Sequence, residues 1–423
     1  LCFGRLADLT GRSRIFSWGF LLFALGSGLC SLAGGIGQLV MARVVESVGA
    51  AMMMATSMAL ATAVFPREER GRALGMLGTV VAIGSMTGPT LGGFLVGSYG
   101  WRAIFYLNIV LGIIGYTGCR FILPDDQPTT ANKSFDFFGA AVFAALMVAL
   151  VTGLNAAKTN GFSSLPALLG VGCAGLLLAL FLIIEKGMQS PLLDLSIFRD
   201  RVFTAGNLAG LLSFVAMFST NILLVFYMEQ VLGYKPQRVG IILLAFPAVM
   251  AFVAPLSGWL SDRLGPSILT AVGMGCSALA LYGLSRLGIS SQMWEIGGLM
   301  GLLGFGMGLF QSPNNSAVIG TVAPDKLGIA GGVMATVRNV GMVIGIAWSM
   351  STFSVRYTQL LAEYGQPGIL ERKLAFVGSI SFVFVLAAVI CLFGLAASLI
   401  RSQAGQGAKQ TVVRSEEEKG KML

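Results

Sequence analysis

A basic and an acidic side chain stand three residues apart inside a long apolar stretch. If this stretch is helical, Arg43 and Glu46 share one face, because residues three and four apart are neighbours on a helix. A charged group at mid-membrane costs about 2.5–3.5 kcal/mol on insertion scales. A buried carboxylate beside a cation binds or releases a proton as its surroundings change. The pair is therefore a candidate for proton transfer, and the alternative is a structural ion pair that offsets the charge of Arg43.

Two short polar loops carry the same pattern, G-x-L-x-D-x-x-G, at residues 4–11 and 258–265. Glycine permits a tight turn, and an Asp beside an Arg can build a charge cluster at helix ends. The second copy is weaker, because Pro266 stands where a basic residue follows the first copy. The alternative is that the basic residues only set the orientation of the chain. The candidate residues of the two loops are Gly4, Asp8, Gly11, Arg12, Asp262, Arg263 and Gly265.

A stripe of glycines runs through another apolar segment. Gly84, Gly88 and Gly92 are spaced by four, with Gly93 beside them, so the segment offers a smooth surface for the close approach of another helix. Pro89 removes a backbone donor and predicts a kink. The stripe is interpreted either as a hinge and seal or as ordinary small-residue packing.

Amides and aromatic rings share one face of a segment in the second half of the chain. Such a face suits a large amphipathic ligand, or else a helix contact in which the amides donate hydrogen bonds. Met52, Met53 and Met54 form a soft run that is expected to pack against lipid rather than line a cavity. The residues of the amide and aromatic face are Asn207, Leu211, Phe214, Phe218, Asn221 and Val225.

Two further polar residues lie deep in apolar segments. Asn314 follows Pro313, where the helix is expected to break, and Arg338 lies about 15 Å into the next segment. An intramembrane arginine is a candidate functional residue by default. Arg338 is interpreted either as a ligand contact or as an anchor for Asn314 or for the polar loops.

The composition excludes most soluble and catalytic classes. Apolar residues make up 55% and charged residues 11% of 423 positions, whereas ordinary globular chains are about one quarter charged. There is no histidine, and the six cysteines are scattered, so catalytic triads, cofactors and metal sites are not expected. The net charge of +9 lies in short loops, which favours membrane orientation over nucleic-acid binding. These observations predict a membrane protein that is not an enzyme.

Apolar runs of about 20 residues predict twelve membrane-spanning helices. Helices are expected throughout, because lipid offers no partner for unpaired backbone groups. Lysines and arginines are more frequent in the loops that lie on the same side of the membrane as both ends of the chain. That side is therefore predicted to be the cytoplasm, and the membrane is predicted to be the cell membrane. The polar segment 401–423 is predicted to be disordered. The runs are 15–33, 39–64, 74–98, 103–123, 137–156, 164–184, 203–227, 239–258, 266–287, 293–318, 328–352 and 375–399.

These motifs resemble those of the major facilitator superfamily. The two loops are similar to the loop between its second and third helices and to the weaker copy in its other half. The run from Leu39 through Arg43 and Glu46 to Ala51 resembles its fourth-helix motif, although Glu46 stands where Gln is usual and Ser47 where Gly is usual. The glycine and proline stripe resembles the fifth-helix antiporter motif that ends in G-P-x-x-G-G, which in the family marks exporters rather than uptake systems.

The resemblance implies an all-α fold of two pseudo-symmetric six-helix halves. Eight predicted spans separate the two loops instead of six, which resembles the fourteen-span drug:proton antiporter branch with two additional central helices. On this interpretation two helices before Leu1 are missing. The implied domains are an N-terminal half (1–123), the linker spans (124–202), a C-terminal half (203–400) and the tail (401–423).

The resemblance also implies a function, namely export of lipophilic, often cationic, drugs in exchange for protons by alternating access. It places Arg43 and Glu46 in proton coupling at a central cavity, makes the glycine stripe a gate, and makes the two loops cytoplasmic latches. The expected partners are a small-molecule substrate, protons and the bilayer, with no nucleic acid, for a monomeric protein. The alternative is a carrier for one specific metabolite or ion.

Overall fold

The computed structural model describes residues 2–66, 95–123, 136–188, 191–323, 326–364 and 368–421, with isolated positions between 69 and 92. Side chains are described as far as Leu399, except at Asn160, Asn221, Pro236 and Asp262. Every regular element in this part of the chain is helical. A helix satisfies its own backbone hydrogen bonds, which is what an apolar surrounding requires.

Thirteen α-helices follow one another along the described chain. A short 3₁₀ helix (Leu195–Arg199) precedes the seventh helix, and a single π-helical turn (Tyr227–Val231) follows it. The helices are α1 (Cys2–Thr10), α2 (Arg12–Leu32), α3 (Ile36–Val64), α4 (Arg102–Ile122), α5 (Phe137–Asn160), α6 (Leu165–Gly187), α7 (Arg201–Phe226), α8 (Pro236–Leu243), α9 (Ala245–Leu264), α10 (Pro266–Leu284), α11 (Met293–Gly320), α12 (Leu327–Glu363) and α13 (Ile369–Lys421).

Eleven segments of the described chain are long and apolar enough to cross a membrane. They correspond to eleven of the twelve predicted spans and confirm an all-helical, multi-pass protein. Helices α8 and α9 together form one of these segments. The predicted span 74–98 lies largely outside the described residues.

The prediction of a helix break at Pro313 is wrong. Helix α11 runs without interruption through Pro313, where the sequence predicts a break. A proline removes one backbone bond, and the surrounding helices can hold the rest of the helix in place. Helix α13 continues to Lys421. The disorder of the tail 401–423 stays a prediction.

The helices pack into two groups that meet along α12. Helix α2 packs against α3 and α4, whereas α7, α10, α11 and α13 surround the largest apolar core. Helix α12 belongs to the second group and also contacts α1, α3 and α5. Helices α5 and α6 pack against each other as a hairpin. Fully buried members of the core include Tyr227, Met228, Met274, Leu281, Phe310 and Phe384.

Glycines bring α2 and α3 into backbone contact. A β-carbon added to Gly26 would overlap the backbone of Glu46, and one added to Gly49 would lie 2.7 Å from the carbonyl oxygen of Gly19. Only a residue without a side chain permits helices to approach so closely. This crossing fixes where Glu46 lies against α2.

Replacing Gly26 is therefore expected to destabilise the protein. Gly26→Ala should lower the free energy of unfolding by about 1–3 kcal/mol, because the methyl group has no flexible neighbour to displace. Gly28→Ala is the matched control, since a β-carbon there would lie 3.8 Å from Ile109 Cδ1, an ordinary contact. Thermal unfolding of the detergent-purified protein measures both variants. Equal melting temperatures for the two would show that the crossing is not tight.

Candidate functional site

An apolar cavity of about 430 Å³ lies between the two groups of helices. Helices α2 and α3 on one side and α7, α9, α11 and α12 on the other supply all of the described lining except Leu77 and Val80. Seven methionines and five phenylalanines dominate the described lining. The described lining residues are Phe16, Phe20, Met53, Met54, Ser57, Met58, Leu77, Val80, Phe214, Met217, Phe218, Phe246, Pro247, Met250, Ala254, Gln311, Ser312, Asn315, Met334, Arg338, Asn339 and Met342.

Arg338 is the charged side chain among these described lining residues. It projects from α12 and donates a hydrogen bond to the sulfur of Met54 across the cavity, at 3.3 Å. The amides Gln311, Asn315 and Asn339 add polar groups to an otherwise apolar wall. A few polar groups in an apolar cavity orient a ligand, while the apolar surface supplies most of its binding energy.

The predicted amide and aromatic face divides into two parts. Phe214 and Phe218 line the cavity. Asn207 instead donates to the carbonyl of Phe203 at 2.9 Å, and Asn314 donates to the carbonyl of Gly206 at 3.1 Å. The bond of Asn207 lies within α7 and makes no contact between helices, whereas the bond of Asn314, outside the predicted face, joins α11 to α7. The side chain of Asn221 lies outside the described part.

The methionine run faces the cavity, contrary to the prediction that it packs against lipid. Met53 and Met54 line the cavity, and Met58, one turn further, joins them. Met52 is buried against Ala7 and Ile15. Composition cannot distinguish the two environments, because lipid and an apolar cavity favour the same side chains. Packing of α3 against α2 and α12 decides the direction in which these residues point.

Arg43 and Glu46 form the predicted ion pair, 2.7 Å apart. Glu46 is 3% exposed and also accepts hydrogen bonds from Ser27 at 2.8 Å and Asn108 at 3.2 Å. The side chain of Arg43 is 60% exposed. Neither residue is among the described lining of the cavity. Glu46 lies about 10 Å along α3 from Met53, at the helical rise of 1.5 Å per residue.

The first polar loop joins the two groups of helices. Asp8 is fully buried and pairs with Arg12 at 2.9 Å. Its carboxylate also accepts hydrogen bonds from the backbone N–H groups of Gly328 and Ile329, both at 3.1 Å. These N–H groups belong to the first turn of α12, where the helix dipole favours a negative charge. Asp8 therefore serves as an N-terminal cap for a helix more than 300 positions away in the sequence.

Glycines make this contact possible, because the backbones of α1 and α12 touch. A β-carbon on Gly4 would overlap the carbonyl of Gly328, and one on Gly328 would overlap both Gly4 and Asp8. Gly11 adopts φ 106° between α1 and α2, a conformation that favours glycine. We call the contact of Gly4, Asp8 and Arg12 with the start of α12 the latch.

The second polar loop makes a simpler arrangement. Gly265 adopts φ 83° between α9 and α10, so it provides the tight turn that the motif predicts. Arg263 stacks over the ring of Trp259, 4.1 Å from its centre, within its own helix. The side chain of Asp262 lies outside the described residues.

A second ionic contact, missed by sequence reasoning, lies beside the latch. Lys326, which precedes α12, pairs with Asp194 in the connection between α6 and α7. Burial raises the pKa of the Asp194 carboxyl, but hydrogen bonds from Lys326 and Ser196 outweigh it and hold the pKa at about 2. The pair is separated by more than 100 residues, so no local spacing indicates it.

The glycine and proline stripe is mostly outside the described residues. Gly88, Pro89 and Gly93 are not described. Gly84 and Gly92 are helical, and a β-carbon on Gly92 would lie 4.0 Å from Ile104 Cδ1. The gating role of the stripe remains a prediction.

Comparison with known proteins identifies the family. The model of the Major Facilitator Superfamily matches residues 1–346. The riboflavin transporter RibZ of Clostridioides difficile is 33% identical over 93% of this chain and 84% of its own length. The multidrug resistance protein Stp of Mycobacterium tuberculosis is 34% identical, and the tetracenomycin C resistance and export protein of Streptomyces glaucescens is 30% identical.

Coverage of these relatives differs. The alignments with Stp and with the tetracenomycin C protein span 81% of this chain but 64% of those proteins, slightly less than two thirds. Among solved structures, the human organic anion transporter MFSD10 matches with a TM-score of 0.60 over 92% of this chain and 79% of its own, at 15% identity, which shows a shared fold. The chain belongs to the major facilitator superfamily.

Proposed function

We propose that this protein is a proton-coupled secondary transporter that exports lipophilic aromatic compounds by alternating access. The observation that carries the proposal is the apolar cavity between the two groups of helices. In alternating access, two halves rock around a central site. The latch joins the halves on one side of the cavity, and its loss would let them separate there.

The cavity lining favours a particular ligand chemistry. Methionine and phenylalanine adapt to flat aromatic ligands of varied shape. Arg338 adds a positive charge to the described lining, so neutral or anionic aromatic compounds fit better than the cationic drugs expected from the motifs. A cationic ligand would have to overcome repulsion in a poorly hydrated cavity.

Export and proton coupling rest on the motifs and on Glu46. The stripe that ends in G-P-x-x-G-G resembles the motif of exporters, and Glu46 is a buried carboxylate within a predicted span. Each proton that enters the cell supplies about 2.3 kcal/mol per 100 mV and about 1.4 kcal/mol per pH unit. We also propose that α5 and α6 are the additional pair of a fourteen-span transporter in the cell membrane.

The second candidate function is transport of one specific metabolite. RibZ, named as a riboflavin transporter, matches across more of its own length than the drug-resistance relatives do. A flat isoalloxazine-type ring with polar substituents would also suit aromatic walls with a few amides. This candidate predicts a single preferred ligand instead of many.

A transport assay on the full-length protein distinguishes the two candidates. Inverted membrane vesicles with a preset pH gradient receive size-matched cationic, neutral and anionic aromatic compounds, with riboflavin in a separate sample, while proton release is recorded. Proton release with several unrelated aromatic compounds would support the proposal. Proton release with riboflavin alone would favour the metabolite carrier. If none of the compounds moves protons, proton-coupled export is wrong.

Replacing Arg338 tests the ligand chemistry. Arg338→Gln is expected to weaken binding of anionic aromatic compounds by about tenfold, which corresponds to about 1.4 kcal/mol, and to change binding of neutral ones far less. Arg338→Lys keeps the charge and serves as the matched control. Fluorescence titration of the purified protein measures the dissociation constants. Equal losses for neutral and anionic ligands would contradict a charge-selective role.

A further inference from the structure

Two buried carboxylates lie outside the cavity, where the hairpin of α5 and α6 meets α1. Asp136 precedes α5 and is 6% exposed, and Glu185 lies in the last turn of α6 and is 3% exposed. Neither takes part in the latch or in the Arg43–Glu46 pair. A buried carboxylate is costly unless something compensates its charge.

Each carboxylate uses one oxygen and leaves the other unpaired. Asp136 Oδ1 accepts the backbone N–H of Gly139 at 2.8 Å, and Glu185 Oε2 accepts the N–H of Leu193 at 3.1 Å. The second oxygens, Asp136 Oδ2 and Glu185 Oε1, are buried and find no hydrogen-bond partner among the described residues. Both oxygens lie beside Gly139, because a β-carbon added to that residue would lie within 3.0 Å of each of them.

A buried cation acts on one member of this pair. Arg5 on α1 is 4% exposed, its positive charge acts on Glu185, and its Nε has no described partner. With both carboxylates ionised, the three groups carry a net charge of −1 in a buried place. One added proton makes the group neutral and supplies a donor for the two unpaired oxygens. Buried like charges that share a site do not both remain ionised.

We propose that Asp136 and Glu185 form a binding site for one proton, held between α1, α5 and α6. The site is separate from the substrate cavity and does not depend on the proposed export function. Because Arg5 lies one turn from Asp8 on α1, the charge state of this site acts on the helix that carries the latch.

Apolar side chains pack between the elements that carry the two carboxylates, which increases the cost of an uncompensated charge. Phe181 is 1% exposed, Leu192 is fully buried and Val142 is 8% exposed, and they form one cluster between α5 and α6. Cys2 and Ile184 pack against the same cluster. In such a low-dielectric place, a net charge of −1 costs more than it would at the surface.

Among the described residues, the other titratable groups near the site do not supply the missing charge. On α1, burial raises the pKa of the Cys2 thiol, and the carboxylates of Glu185 and Asp136 raise it further, so the thiol stays neutral. Helix α12 also packs against α5, but its charged residues are engaged elsewhere. Arg338 lines the cavity, Arg356 lies over the ring of Phe382, and Glu363 is exposed at the end of the helix.

Infrared difference spectroscopy on the full-length protein tests the proposal. Spectra are compared between about pH 8 and pH 5.5, a range in which exposed Asp and Glu carboxylates stay ionised. The expected result is a protonated-carboxyl band equivalent to one proton per chain that is absent from Asp136→Asn and from Glu185→Gln. The amide oxygen of each variant can accept the backbone hydrogen bond that the carboxylate accepts in the wild type, so the fold is retained. Contributions of Glu46 cancel, because they are common to wild type and variants.

Glu363→Gln is the matched control and should leave the band unchanged. The band's presence in both site variants would overturn the proposal. Loss of the band in sodium chloride but not in choline chloride would also overturn the proposal, because the two carboxylates would then bind a metal cation in preference to a proton.

Arg5→Gln supplies a second readout that a purely structural role would not change. Removing this cation leaves two carboxylates without a counter-charge, so the midpoint of the band should shift to higher pH. An unchanged midpoint would contradict the charge balance on which the proposal rests.

Discussion

Asp8→Asn is expected to lose transport by about tenfold or more and to destabilise the protein by about 3–5 kcal/mol. Asp8 is fully buried, pairs with Arg12 and accepts two backbone hydrogen bonds at the start of α12. Asparagine can accept one of these bonds but removes the negative charge that pairs with Arg12, which is 5% exposed. Breaking a buried pair costs more than the pair contributes, since the remaining charge stays buried.

Asp200→Asn is the matched control for this prediction. Asp200 also accepts two backbone N–H groups, at 2.8 and 2.9 Å, as the cap of α7, but it is exposed. Asparagine is as good a cap as aspartate, so this variant should change stability little. Thermal unfolding and vesicle transport measure both variants.

The double variant Asp8→Asn/Arg12→Gln separates stability from transport. Removing both charges should recover part of the lost stability, because no buried charge is left unpaired. Transport should stay low, since α1 no longer holds the start of α12. Recovery of transport together with stability would show that the latch is only a structural ion pair.

Glu46→Gln is expected to abolish substrate-dependent proton release while substrate binding changes by less than about threefold. The amide of glutamine keeps an oxygen that can accept hydrogen bonds from Ser27 and Asn108, but it cannot bind and release a proton as a carboxylate does. Because the side chain of Arg43 is 60% exposed, its loss of a partner should cost only about 0–1 kcal/mol. A folded variant that binds but does not antiport is therefore the expected outcome.

Proton movement in vesicles and ligand titration on the same preparation test this prediction. Glu363→Gln, at an exposed glutamate, is the matched control and should behave as wild type. Antiport at the wild-type rate in Glu46→Gln would mean that the Arg43–Glu46 pair is structural. The proton that drives export would then bind elsewhere.

Local spacing in the sequence predicts contacts within one helix correctly. Arg43 with Glu46, and Asp8 with Arg12, are three and four residues apart, and both form ion pairs. Helical geometry alone brings such residues together. The eleven confirmed spans follow in the same way, because hydropathy reports which segments lie in lipid.

Contacts between helices required the tertiary structure. Nothing in the spacing places Asp8 at the N-terminus of α12 or brings Asp136 and Glu185 to the same glycine. Lys326 and Asp194 are also far apart in the sequence. Such pairs depend on how whole helices dock, and a loop pattern contains no information about the partner on the other side.

The sequence by itself determined that this chain is a helical membrane protein, where its spans lie and to which superfamily its motifs belong. Only the tertiary structure decided which side of each helix faces the cavity, as the methionines of α3 illustrate. In water, an apolar stripe shows which face of a helix is buried. In a bilayer, lipid and protein interior are similarly apolar, so hydropathy locates a helix but does not fix its rotation.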